Sequence, residues 1–416
     1  MSLNRDRRQH LVPLAAVQAV GILCGVIGVR WTTTVIPPDL LGAYGLLLSA
    51  VQAGLVVTHH GFVKHVQRTW RADVPAGPYM RQLLRVAPQP TLWLTLGSAV
   101  IAVALHLLGS VPLQATVLVW IIFANLGVAI AVALQTALQA EERYWANFAV
   151  SALGSLTRSF APPLLVLLIG ASLAVVLSAF LLHLLSIIAL AMWLLRAAWK
   201  RTTPVPTERG SDNLPQLVRS FAAVGLASWI ANAASRWFAP TVLSPEGVGY
   251  YVLAGNLTLI VPATFGAIAL GYTFPAVFAA ARDGADDATL WRLTSRPLMT
   301  VMAGTQVSLI LLWLAAPLLV GLVIDARYAA STEWFLATGG AGLAATSGQF
   351  FSNLLLARNR EADCIKLSAI SCALRLAIMA AGCAAGVAGF RSSLIALPWL
   401  TLFVEWCYVR RRLGRQ

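Results

Sequence analysis

Between Arg85 and Glu141 the chain carries no aspartate, glutamate, lysine or arginine, and between Arg158 and Arg196 it carries none either. Stretches of this length cannot offer water a solvated face, and a bilayer span takes only about 20 such residues. Each run therefore holds two spans and a short turn, at Gly109-Ser110-Val111-Pro112 and at Gly170-Ala171-Ser172. Charged residues make up 11% of the 416 residues, against about a quarter in soluble domains. The chain is read as a polytopic membrane protein.

Twelve spans are expected, near 11–29, 40–62, 86–108, 112–139, 145–169, 173–195, 217–238, 248–276, 298–322, 334–356, 364–387 and 392–409. They are expected to be helices, because in lipid every backbone polar group must find its partner internally. The opening MSLNRDRRQH is too polar for a separate signal peptide, so the first span is expected to stay in the mature protein.

A net charge of +14 raises the question of nucleic acid, and the placement of the charge answers it. Assigned to alternating sides, the 30 lysines and arginines gather on one side, the pattern of cytoplasmic loops. The exceptions are Arg30, Arg236, Arg327 and Arg391 at outer ends, with Arg158 and Arg375 inside spans. Both termini are therefore placed in the cytoplasm, and no nucleic-acid partner is expected.

Soluble-enzyme chemistry has no foothold. None of Lys64, Lys200 and Lys366 ends a GxxxxGK[ST] loop, so ATP binding is not expected. There is no HExxH or Cys-x-x-Cys, and the five cysteines (Cys24, Cys364, Cys372, Cys383, Cys407) read as packing residues. No catalytic residue, metal or cofactor is expected.

The chain repeats itself. RWTTTVIPPDLLGAY begins at Arg30 and RWFAPTVLSPEGVGYY at Arg236. Pro38-Asp39, Gly42 and Tyr44 match Pro245-Glu246, Gly249 and Tyr251 at a constant offset. Later, LQAEERYWANFAVSALGSLTR ends at Arg158 and LLARNREADCIKLSAISCALR at Arg375, matching Arg143 with Arg360 on the way. A short insertion around IDARYAASTE absorbs the change of offset. Six spans per half is an even number, so the expected architecture is two parallel six-helix lobes about a pseudo-two-fold axis along the membrane normal. The lobes are expected at 1–203 and 217–416, the second with a basic cytoplasmic tail, joined by a cytoplasmic linker at 204–216.

Charge inside the membrane is costly and marks function by default. Arg158 and Arg375 lie too deep to reach either surface, and Arg30 and Arg236 end the first and seventh spans. One reading makes these four arginines the lining of a central cavity, where guanidinium forks bind a phosphate or pyrophosphate. The other pairs each with helix carbonyls or with Asp39, Glu246 or Glu405. For ion coupling, His183 and His106 are candidates because histidine titrates near neutrality, and Glu405 is a third. Their plainer roles are structural hydrogen bonds and, for Glu405, a local ion pair with Arg410. Gly339, Gly340, Gly342, Gly348 and the Gly382-x-x-x-Gly386 pair read as sites of close helix approach.

At these residues the chain resembles the polysaccharide-biosynthesis (O-antigen type) flippases of the multidrug/oligosaccharidyl-lipid/polysaccharide exporter superfamily. The likeness lies in P-D-L-L-G-A-Y-G-L from Pro38, L-Q-A-E-E-R before the fifth span, S-R-W…L-S-P-E-G-V-G-Y-Y from Ser235, P-A-V-F from Pro275 and D-A-R-Y-A-A-S from Asp325. Where that family often has Asp-Arg in the seventh span, this chain has Ser235-Arg236. The resemblance implies a flippase of the bacterial inner membrane that moves an undecaprenyl-diphosphate-linked oligosaccharide to the outer leaflet by alternating access, driven by an H+ or Na+ gradient. Membrane lipid, and glycosyltransferases and a polymerase as partners, follow from it. Three alternatives stay open. A multidrug and toxin extrusion exporter shares the architecture but calls for acidic cavity residues. A major-facilitator carrier lacks its Gly-rich motif here. A scaffold for polysaccharide assembly would transport nothing.

Overall fold

The computed structural model describes residues 2–51, 88–112, 114–141, 143–199 and 214–413, and these residues are helical, with no β-strand among them. The first five described helices are α1 (Ser2–Val35), α2 (Pro38–Val51), α3 (Pro88–Leu107), α4 (Ala115–Ala140) and α5 (Tyr144–Ile169). Next come α6 (Leu173–Trp199), α7 (Leu214–Phe238), α8 (Pro245–Thr258), α9 (Ile260–Arg282) and α10 (Asp287–Leu314). A short α11 (Ala316–Leu322) and a 3-10 segment, Ala326–Trp334, lead to α12 (Phe335–Ala357), α13 (Glu361–Ala384) and α14 (Gly386–Leu413). Seven of the described helices are long and apolar enough to cross a membrane. The second expected span is described only to Val51; its remainder lies outside the described residues.

The eighth and ninth spans, expected as single helices, are each broken, and proline is the cause. Pro262 has no N–H for the carbonyl of Thr258, where α8 ends, and Pro317 has none for that of Trp313, just before α11 begins. The first helix is longer than expected at both ends, running from Ser2 to Val35.

The chain forms two compact units, Met1–Leu226 and Ala227–Gln416. The division falls inside α7; of the linker expected at 204–216, residues 204–213 lie outside the described residues and 214–216 open that helix. Within the first unit α5 packs against α1 and α6, and α4 against α6; within the second, α14 packs against α12 and α13.

The repeat is written into the hydrogen bonds. Leu41 N–H reaches Pro37 O at 3.0 Å, and its counterpart Val248 N–H reaches Ser244 O at 2.9 Å. The acids of the two motifs, Asp39 and Glu246, sit in the first turns of α2 and α8, where the helix dipole favours negative charge. Arg143 and Arg360 precede α5 and α13 with nearly the same backbone angles, φ −87°, ψ 62° and φ −95°, ψ 59°. Their N–H groups bond Leu138 O and Leu355 O at 3.0 and 2.9 Å. Each guanidinium then donates to a carbonyl near the C-terminus of the last helix of its half: Arg143 to Leu194 O of α6, and Arg360 to Arg412 O of α14. Those carbonyls lie at or close to the negative end of a helix, where a cation is favourable.

Glycines set the closest helix contacts. A methyl on Gly28 of α1 would lie 2.6 Å from Ser159 Cβ of α5, and one on Gly340 of α12 would lie 2.9 Å from Leu394 O of α14. Gly339 and Gly342 meet Leu309 and Leu259 in the same way, so the expected packing role of these glycines holds. Gly386, with φ +75°, makes the turn from α13 into α14, a conformation that a Cβ disfavours.

The arginine braces give a first prediction. Arg143→Gln and Arg360→Gln each lower stability by about 1 kcal/mol, read as a lower melting temperature of the purified protein. Because the two braces lie in separate units, the double variant loses the sum of the two. A melting temperature unchanged in both single variants contradicts the brace.

Candidate functional site

Arg158 lies on α5, about 21 Å along the helix from Tyr144 and about 16 Å from Ile169 at 1.5 Å per residue. It is exposed, and its guanidinium has no hydrogen bond or ion pair among the described residues. Pro162 and Pro163 follow it on the same helix. They remove the two N–H groups that would bond the carbonyls of Arg158 and Ser159. A cation and two helix carbonyls without their usual partners thus coincide at mid-span.

Two further helices bring polar groups to this place. Tyr44 of α2 and His183 of α6 both lie within electrostatic reach of Arg158. His183 is buried, and its Nδ1 lies 2.9 Å from Thr157 Oγ1. That hydroxyl donates its one hydrogen to Leu153 O at 2.8 Å, so we assign the Nδ1 proton to His183, donating to Thr157. Gly154 lies against the ring: a methyl there would lie 3.6 Å from His183 Cε1, an ordinary contact. His183 is thereby fixed beside Arg158.

Arg375, the repeat partner of Arg158, is in a different situation. It is 4% exposed and held inside the second unit. Its Nη1 donates to Asn232 Oδ1 of α7 at 2.7 Å and its Nη2 to Ala344 O of α12 at 2.6 Å, while Nε has no partner. No proline stands on α13 where Pro162 and Pro163 stand on α5; Met379 and Ala380 take those places. Glu405 of α14, 1% exposed, shares this interior. Ser371 donates to its Oε1 at 2.8 Å and Ser347 to its Oε2 at 2.9 Å. Gly348 leaves space for the carboxyl, since a methyl there would lie 3.3 Å from Oε1. The local ion pair expected between Glu405 and Arg410 is replaced by these hydroxyls, because Glu405 faces the packed interior of α12 and α13.

The remaining candidates lie elsewhere. Arg236 is half-buried and donates to Asn256 Oδ1 at 3.3 Å. Arg30 is half-buried on α1, where its carbonyl accepts from Thr33 and Thr34 hydroxyls. His106 closes the turn after α3, with Nδ1 3.0 Å from Val111 O, far in the chain from the other polar groups. Asn232, Ser347 and Ser371 were missed as site residues. Two of them had a legible signal: Asn232 stands one turn before Arg236, and Ser371 one turn before Arg375.

The contrast between the arginines is measurable as stability. Arg375→Gln removes the hydrogen bonds to Asn232 Oδ1 and Ala344 O and leaves Glu405 without the nearby positive charge, for a loss on the order of 3 kcal/mol. Arg158→Gln removes no hydrogen bond among the described residues and is expected to stay within about 0.5 kcal/mol of the parent. Equal melting-temperature shifts in the two variants contradict the assignment.

No family model matches the sequence, and no curated protein does. Solved structures do match. A multidrug resistance MATE family transporter of the MOP superfamily, in an inward-facing conformation, aligns with a TM-score of 0.68 at 14% identity, covering 97% of this chain and 98% of that one. A MOP superfamily transporter from Pyrococcus furiosus, described as having a binding pocket of reverse polarity that suggests a different function, aligns at 0.66 and 13%, covering 98% and 95%. A mutant of the Vibrio cholerae MATE transporter VcmN aligns at 0.65 and 13%, covering 98% and 97%. Over nearly its whole length the chain has the fold of these transporters, an all-helical membrane fold of twelve spans in two lobes.

Proposed function

We propose that the chain is a secondary transporter working by alternating access, and that Arg158 recognises the anionic head of its substrate. One observation carries this reading: a guanidinium exposed at mid-span without a protein acceptor among the described residues. A bare charge at that depth in hydrocarbon costs several kcal/mol, so the surface around Arg158 must be wetted. A fixed, wetted cation with a planar fork of donors is suited to a phosphate or diphosphate. The sequence adds that no acid occurs between Glu142 and Glu208, so α5 and α6 bring no carboxylate to compete for it.

The finer reading is that the cargo is an undecaprenyl-diphosphate-linked oligosaccharide, carried from the cytoplasmic to the outer leaflet of a bacterial inner membrane. It rests on the motif resemblance from Pro38 to Leu46 and from Ser235 to Tyr251, with Arg158 as the head-group contact. A second reading is a multidrug exporter, and the names of the similar structures favour it over the lipid-linked glycan. Cationic drugs, however, call for acidic groups, and the charged side chain exposed at mid-span among the described residues, Arg158, is basic. The Pyrococcus furiosus protein, by its own description, carries a pocket of reverse polarity on this fold, which keeps an anionic cargo compatible with the architecture.

Binding separates the readings. Wild-type protein in detergent is expected to bind an undecaprenyl-diphosphate oligosaccharide, and Arg158→Gln to weaken that binding at least tenfold, about 1.4 kcal/mol. A cationic dye such as ethidium is expected to bind neither. Saturable dye binding by the wild type, with diphosphate binding absent or untouched by the substitution, moves the assignment to the drug exporter.

A further inference from the structure

The interior of the second unit holds a carboxyl that the substrate reading does not use. Glu405 accepts from two hydroxyls, makes no direct ion pair among the described residues, and lies within electrostatic reach of the Arg375 guanidinium. The hydrogen bonds around it admit two proton states. Ser347 Oγ lies 2.9 Å from Glu405 Oε2 and 3.0 Å from Ala344 O, two acceptors for its single hydrogen. With Glu405 protonated, Oε2–H donates to Ser347 and Ser347 donates to Ala344 O, so both hydroxyl hydrogens are used. With Glu405 ionised, Ser347 turns its hydrogen to the carboxylate, and Ala344 O keeps the Nη2 of Arg375. The carboxylate then stands in the unit's interior without an ion-pair partner, a costly arrangement, beside a guanidinium whose Nε has no partner.

We propose that Glu405 is a proton-carrying site, and that its charge state decides whether Arg375 holds Asn232 and Ala344 O or turns to the carboxylate. In the first state Arg375 ties α13 to α7 and α12; in the second it ties α13 to α14. Loss of the proton breaks the Oε2–H bond and sends the proton to water when the unit opens to one side, and uptake reverses this. Asn232 is exposed, so its bond to Arg375 is the end of the network that can be released. Few other groups compete. α12 carries no titratable side chain. On α13, Cys372 lies beside Arg375. One turn along α14 from Glu405, Tyr408 donates to Asp363 Oδ1 at 3.1 Å, and Asp363 pairs with Arg412 at 3.3 Å, so that acid is already neutralised. Arg236 stands one turn from Asn232 and is engaged with Asn256. The purpose of the site, ion coupling, rests on the transporter reading, but its test does not.

The test is the pH-difference infrared spectrum of the full chain in lipid vesicles. The carbonyl-stretch band of a protonated carboxylic acid is expected to appear as pH falls, and to be lost in E405Q. The amide introduced by that substitution is isosteric with the carboxyl and keeps both serine contacts. In S371A, which keeps the carboxyl but removes the hydroxyl on Oε1, the band is expected to move to higher frequency, identifying it as Glu405 independently of E405Q. Guanidinium bands should change in step with it and fall silent in E405Q. A wild-type spectrum without the band, or a band unchanged in both variants, overturns the proton site. A titrating carbonyl with fixed guanidinium bands overturns the hand-over by Arg375. Failure of diphosphate binding, by contrast, removes the cargo assignment and leaves this result standing.

Discussion

A guanidinium fixed at mid-span can avoid bare hydrocarbon in two ways: it can bury itself against protein acceptors, or it can stay in contact with water. Arg375 takes the first way, and the exposure of Arg158 is read as the second, at positions the internal repeat makes equivalent. Arg375 is enclosed with Asn232 and Ala344 O as its acceptors. Arg158 is exposed, on a helix whose ladder is interrupted just beyond it by Pro162 and Pro163. The physical requirement is the same in both places, and the local sequence decides which answer is taken.

On the reading proposed above, that divergence gives the two units different tasks on one scaffold. The scaffold itself is kept: the turns before α5 and α13 share their backbone angles, and Arg143 and Arg360 brace the last helix of each half alike. The difference that bears on the arginines lies in the middle of the spans. In the first unit Gly154 lies against His183, and its equivalent in the second, Ser371, holds Glu405. An exposed cation suits recognition, and an enclosed carboxyl with hydroxyl partners suits a bound proton. A transporter needs both, and placing them in different units lets each be tuned separately.

The span count and the repeat were legible because hydrocarbon imposes them one residue at a time: long charge-free runs and a strict offset leave little freedom. The breaks at Leu259 and Ala315 were less legible, although Pro262 and Pro317 were visible, because a proline in a span ends a helix only when packing does not bridge it. The arginines were legible as exceptional, but their surroundings were not. Equivalence in the repeat pointed to one shared cavity, whereas Arg375 finds its acceptors in Asn232 and Ala344 O, on helices distant in sequence. Of the two readings of Glu405, ion coupling and a local ion pair with Arg410, the second rests on chain proximity alone. The carboxyl's contacts come from Ser347 and Ser371, on other helices, and nothing in the sequence around Glu405 announces them.

The account stands on Arg158 facing water while the interior around Arg375 does not. The direct measurement is labelling by a membrane-impermeant, hydrophilic thiol reagent, in intact proteoliposomes opened to both sides, of R158C and S371C in a background with the five native cysteines replaced. Rapid modification at position 158 with none at position 371 is the result this structure predicts. Equal protection of both positions would place Arg158 in a dry environment and contradict its role as a wetted anion contact.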